Sequence, residues 1–121
     1  MFNETILEHF RNPRNAGDLA DANAQIEVTN PVCGDILRLA ARVVDGRIVG
    51  IRFKTQGCVA AIAASSVLTE MLTGRPTIES REITAQSVAE RLGGLPPASF
   101  HAAQLCADGA GALGRQILHA K

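Results

Sequence analysis

Cysteine, aspartate and histidine carry the reactive chemistry available to this sequence. Cys33 and Asp35 lie in Asn30-Pro31-Val32-Cys33-Gly34-Asp35, where Pro and Gly force a tight turn between strands and leave a thiol and a carboxylate two residues apart at its exposed edge. Cys58 follows Gln56-Gly57 at the predicted start of a helix, where unpaired N–H groups and the positive end of the dipole favour thiolate over thiol. That primes it as a metal ligand or a nucleophile. His101 opens the last predicted helix after Pro96-Pro97, and imidazole combined with thiolates suits zinc or iron. No CxxC pair is present, so spacing alone leaves another reading open: cysteines as small core residues and His101 as a solvated or internally satisfied histidine. His9 and His119 fall on predicted helix surfaces beside no other ligand type and read as ordinary surface residues.

Hydrophobic periodicity supplies the elements that position these groups. From Asn3 to Arg11, Ile6, Leu7 and Phe10 recur at helical spacing and stop at Asn12-Pro13, which predicts a short helix followed by a structured turn, Arg14-Asn15-Ala16-Gly17. From Gln25 to Val32, Ile26 and Val28 alternate with polar neighbours, the period of a half-buried strand that Pro31 ends. Leu37, Leu39, Ala41 and Val43 then alternate with Arg38 and Arg42, and Asp45-Gly46 is a two-residue hairpin signal. On the return limb Val49, Ile51 and Phe53 are expected on the dry face, with Gly50, Arg52 and Lys54 on the wet one. Residues 58–72 predict a mostly buried helix, 84–92 a short one begun by Thr84, and 98–119 a last one that Gly109, Gly111 and Gly114 should weaken by about 1 kcal/mol each relative to Ala. The expected class is α+β: a three-stranded antiparallel sheet with helices packed on one face.

Composition narrows the function. The 121 residues fit one domain spanning 1–121, and 46% hydrophobic with 20% charged residues predicts a folded chain. Twelve Lys plus Arg balance twelve Asp plus Glu, and Trp and Tyr are absent, so neither a basic patch for a phosphate backbone nor stacking platforms for bases are available. No nucleic acid and no membrane partner are expected, since no apolar run reaches membrane-spanning length. The amino terminus lacks the pattern of a secretory signal, and three widely spaced cysteines suggest reduced thiols in a cytoplasmic setting.

Asn12-Pro13-Arg14-Asn15, Pro31-Val32-Cys33-Gly34-Asp35, Phe53-Lys54-Thr55-Gln56-Gly57-Cys58 and Leu95-Pro96-Pro97 resemble, in the same order, the iron-sulfur cluster assembly scaffolds of the IscU/NifU amino-terminal family. Ala61-Ile62-Ala63-Ala64-Ser65-Ser66 and Thr69-Glu70 extend the resemblance over nearly the whole chain. It implies a scaffold, not an enzyme in the strict sense, on which sulfur from a cysteine desulfurase and iron from an iron donor are joined, with transfer of the cluster to recipient apoproteins. The family's ligands carry over at Cys33, Asp35, Cys58 and His101. The cofactor implied is an iron-sulfur cluster, expected as [2Fe-2S], and the same four residues also make a four-coordinate zinc set for the resting protein.

Two departures matter. The family places a cysteine directly after the histidine, and here that position is Ala102; Cys106 falls four residues later, about one helical turn or ~6 Å up the axis. Cys106 is therefore either a displaced ligand or a small core residue, and the core reading is the expectation because metal–sulfur bonds near 2.3 Å tolerate little misplacement. Leu95-Pro96-Pro97 is followed by Ala98-Ser99 where the family's chaperone-binding segment has a valine and a lysine, which predicts weak or no chaperone recognition. Two alternative functions stay open: a zinc-binding sulfurtransferase that accepts persulfide sulfur, and a degenerate metal-binding paralogue. Against the first, the branch with that activity carries an insertion between the core helix and the last helix, and it uses the cysteine missing here.

Overall fold

The structure is a computed structural model that describes residues 2–119, with the side chains of residues 118 and 119 outside the description. The expectation for His119 therefore lies outside the described side chains. The chain runs α1 (Glu4–Arg11), β1 (Ala24–Thr29), β2 (Ile36–Val44), β3 (Arg47–Gln56), α2 (Val59–Leu72), α3 (Ala85–Arg91) and α4 (Phe100–His119), with short 3-10 helices at Thr77–Glu82 and Pro97–Ser99. The sheet is antiparallel in the order β1-β2-β3. Leu37, Leu39, Ala41, Ile51 and Phe53 point from it into the core, which α2 and α4 close with Ala60, Ala63, Ala64, Leu68, Ala103, Leu105, Ala110 and Leu113. Asp45 and Gly46, with φ of 52° and 76°, form the hairpin turn whose twist suits the two strands it joins.

One face assignment differs from the sequence expectation. Val49 is exposed, and Ile48 takes its place in the core. Arg42 pairs with Gly50 but Val43 pairs with Ile48, so β3 carries one extra residue at Val49 and inward–outward parity flips across it. Alternation read as unbroken across a bulge misassigns the residues on one side.

The glycines of α4 do not interrupt it. A Cβ on Gly109 would stand 2.7 Å from Leu37 Cδ2, so the missing methyl lets the helix lie close against the sheet. The propensity lost, about 1 kcal/mol per glycine, is offset by this contact and by the small buried residues Ala102, Ala103 and Ala110. The outer edge of β1 is guarded as well. Gln116 of α4 accepts the Gln25 backbone N–H at 2.7 Å and donates to the Gln25 carbonyl, standing in for a partner strand.

His9 is only 7% exposed, which overturns its reading as a surface residue. α1 presents Ile6 and His9 to α2, while Phe10 points outward. The reason lies on α2, where Ser65, Ser66 and Thr69 are buried polar groups that require partners. Ser66 Oγ accepts the Arg14 backbone N–H at 2.8 Å and lies 2.7 Å from His9 Nδ1. Nε2 faces Glu70 Oε1 at 3.5 Å, and a carboxylate only accepts, so the ring proton is assigned to Nε2 and Ser66 Oγ donates its hydrogen to His9 Nδ1 while accepting from Arg14.

Burial, followed by the Arg14 guanidinium, holds the His9 pKa below the ordinary imidazole value of 6.5, against smaller upward contributions from Glu70 and Glu8; Arg91 adds to the lowering. Acidification protonates the unfolded chain first, so stability is highest above pH 6.5 and falls as pH drops from there toward the folded-state pKa. Urea unfolding at pH 7.5, 6.5 and 5.5 should show this decline, and His9→Gln should flatten it. An unchanged slope in the variant would assign the proton uptake elsewhere.

Candidate metal centre

Three chain segments meet at one end of the sheet. The β1–β2 connection is built around Asn30, whose side-chain oxygen accepts the backbone N–H groups of Val32 at 2.9 Å and Cys33 at 3.4 Å. Its backbone accepts Gly34 N–H at 2.8 Å, and Asn30 N–H reaches the Asp35 carbonyl at 2.9 Å. Gly34, with φ of 77°, supplies the left-handed step that turns Cys33 outward and Asp35 back toward the helices. Cys58 is the N-cap residue of α2: its carbonyl accepts the helix's first N–H, from Ile62, while its side chain makes no capping bond and stays free. His101 projects from the first turn of α4, behind the 3-10 turn at Pro97–Ser99.

These groups converge. Ligand atoms of Cys33, Asp35 and His101 lie within 4.8 Å of one another. Cys58 Sγ stands 3.9 Å from both Asp35 Oδ2 and His101 Nε2, and those two atoms are 3.7 Å apart. Donors bound at 2.0–2.3 Å around one tetrahedral ion stand roughly 3.3–3.8 Å apart, so the edges of 3.7–3.9 Å among Asp35, Cys58 and His101 are close to that size. Cys33 and Cys58 thus each approach Asp35 and His101, so the four residues singled out in the sequence meet at one end of the sheet. Both thiols are exposed, His101 is partly so, and the Asp35 side chain is 12% exposed, which leaves the centre open on its sulfur side.

The ring of His101 is set by its own helix start. Its Nδ1 lies 3.1 Å from the Ala98 carbonyl, which can only accept, so the neutral ring carries its proton on Nδ1 and turns the Nε2 lone pair toward Asp35 and Cys58. Ala98 was not legible as a contributor, since any residue offers a carbonyl. Gly57 was also missed: a Cβ there would meet the Asp35 carboxyl.

Cys106 lies apart from the centre. It is fully buried in α4, and burial pushes its thiol up to about 12 despite a hydrogen bond with Ser65 that acts the other way. Ala102 is likewise fully buried. The core reading of Cys106 therefore agrees with its place in the fold.

The fold and this end of the sheet define a small α+β domain that presents two thiols, an imidazole and a carboxylate at an open surface. Residues 1–114 match the family model described as the NifU-like N-terminal domain, and the chain belongs to that family. It is 47% identical over 108 residues to an iron-sulfur cluster assembly scaffold protein IscU of Archaeoglobus fulgidus, a match covering 89% of this chain and 71% of that protein. The corresponding protein of Azotobacter vinelandii is 37% identical over 124 residues, covering 99% and 96%. The crystal structure of an N-terminal NifU-like protein from Brucella abortus shares the fold, with a TM-score of 0.77 at 23% identity over 98% of this chain and 95% of that one. Among the described residues no helix is long and apolar enough to cross a membrane.

Proposed function

We propose that this domain is a scaffold on which iron and sulfide are joined into a cluster and then released to recipient apoproteins, with Cys33, Asp35, Cys58 and His101 as its donors. The observation that carries this reading is the convergence of two exposed thiols on one carboxylate and one tautomerically fixed imidazole. The cluster is cargo and not a resident group, so its holder needs to grip without enclosing. Four mixed donors, open on the sulfur side, satisfy that need, and four protein ligands suit a [2Fe-2S] unit. In the absence of sulfide the same donors suit a single tetrahedral Zn²⁺ or Fe²⁺.

On this reading the chain carries no chemistry of its own beyond holding cargo. A cysteine desulfurase supplies the sulfur and a separate donor the iron. Three free cysteines suit a reducing cytoplasmic compartment. Leu95-Pro96 leads into the 3-10 turn Pro97–Ser99, whose Ala98 carbonyl serves His101, and Ala98-Ser99 offers no basic residue to a chaperone.

Anaerobic reconstitution with Fe²⁺ and sulfide tests the proposal directly. The chain has no Trp or Tyr, so protein absorbance near 280 nm is slight and the near-ultraviolet charge-transfer bands of a cluster can be followed beside its visible ones. Those bands should form and then pass to an added apo-ferredoxin. A protein that stays colourless while keeping one tight zinc would defeat the scaffold reading.

A further inference from the structure

We infer that Gly57 is a positioning residue whose missing side chain holds the place of the Asp35 carboxyl in the metal centre. The inference rests on the proposed donor set and extends it by one residue. A Cβ built on Gly57 would lie 2.7 Å from Asp35 Cγ, 2.9 Å from Asp35 Oδ2 and 3.0 Å from Ala61 Cβ. The first two separations are shorter than carbon and oxygen atoms tolerate, so carboxyl and methyl are mutually exclusive occupants of one notch.

Conformation does not explain the glycine. Gly34, Gly46 and Gly74 have φ between 76° and 82°, where a side chain is strained, but Gly57 is not among the positive-φ residues. Its backbone is one that alanine adopts, and alanine would also lower the entropy of the unfolded chain. What glycine supplies here is volume alone. Most of that volume is filled by the far end of a side chain that can swing away, and the contact with Ala61 Cβ at 3.0 Å is relieved by a shift of a few tenths of an ångström, so Gly57→Ala should keep the fold at a modest cost in stability. Its effect should fall on the site, because the displaced carboxyl can no longer keep its separations of 3.9 Å from Cys58 Sγ and 3.7 Å from His101 Nε2.

Glycine directly before the Cys58 cap thus does for the oxygen donor what the Ala98 carbonyl does for the nitrogen donor. Each fixes a ligand without touching the metal. The two segments that supply Asp35 and Cys58 are coupled through this notch, since the space for one donor is cut into the residue next to the other.

The test uses Co²⁺ alone, titrated into the full chain under anaerobic conditions and read by its visible ligand-field absorption, which responds to the donor set. Gly57→Ala should bind Co²⁺ about 10-fold more weakly than the wild-type chain, as loss of an outer positioning contact does. Its ligand-field spectrum should match that of Asp35→Ala, and thermal unfolding of the metal-free protein should be little changed. The double variant should be no weaker than Asp35→Ala alone, because once the carboxyl is gone the notch has nothing left to position.

Wild-type affinity and spectrum in Gly57→Ala would overturn the inference, as would losses that multiply in the double variant. Should Gly57→Ala fail to fold, recovery of the fold in the double variant would confirm that the clash is with the carboxyl. Failure of both to fold would place the clash elsewhere and refute it. A wild-type chain that does not bind Co²⁺ at all would instead strike at the donor set itself.

Discussion

Cys58→Ala is expected to abolish tight metal binding, whereas Cys106→Ala is expected to leave metal stoichiometry and affinity unchanged. Structural zinc sites of four donors are worth about 10–16 kcal/mol at neutral pH, which assigns roughly 3 kcal/mol, or on the order of 100-fold in affinity, to each ligand. Cys58 should at least match that share, because its sulfur is in reach of both the oxygen and the nitrogen donor, at 3.9 Å each. Cys106 sits in the packed face of α4 with its thiol held protonated by burial. It offers the centre neither access nor a thiolate. Replacing it by Ala removes one buried sulfur and costs about 1–2 kcal/mol of stability through the small void left behind. Equilibrium titration with Zn²⁺ against a competing chelator, paired with urea unfolding, separates the two effects. If the Cys106 variant loses its site as badly as the Cys58 variant, α4 must be rotated or slid from the position described.

The site was legible because its residues announce themselves by type and by local context. Cys33 and Asp35 flank a glycine in a turn, Cys58 stands at a helix start and His101 follows a Pro-Pro break, and each of these settings is local in the chain. The family resemblance then joined the four into one set, which spacing alone had not done. What escaped was nonlocal. The notch at Gly57 exists only because residue 35 folds against residue 57, and nothing within a few positions of the glycine signals it. The bulge at Val49 shifts the face of Ile48 without changing the hydrophobic count, so alternation reads as continuous. For His9 a signal did exist: Ser66 and Thr69 are costly to bury on an Ala-rich helix unless other elements bring polar partners, and α1 with the turn after it does so. The polar residues of α2 thus marked where α1 docks, and of the apolar residues of α1 Ile6 lies on that face while Phe10 points away from it.

Replacing Asp35 by Ala should act in opposite directions on affinity and on lifetime. For a single divalent ion the variant loses one of four donors and should bind about 10-fold more weakly, the size of effect expected for a weak oxygen ligand in a sulfur-containing set. For an assembled cluster the balance changes. Thiolates and sulfides already concentrate negative charge at the site, and a carboxylate with only 12% of its side chain exposed adds to that charge where water screens it poorly. A methyl at this corner removes that charge and leaves Cys33, Cys58 and His101 in place. The decay of the visible bands in air should therefore slow several-fold, equivalent to about 1 kcal/mol on the barrier to cluster loss, and transfer to an apo-ferredoxin should slow with it. Stopped-flow and manual-mixing absorbance on matched wild-type and variant samples measure both rates. Faster decay in the variant would show that Asp35 anchors the cargo instead of keeping it ready to leave.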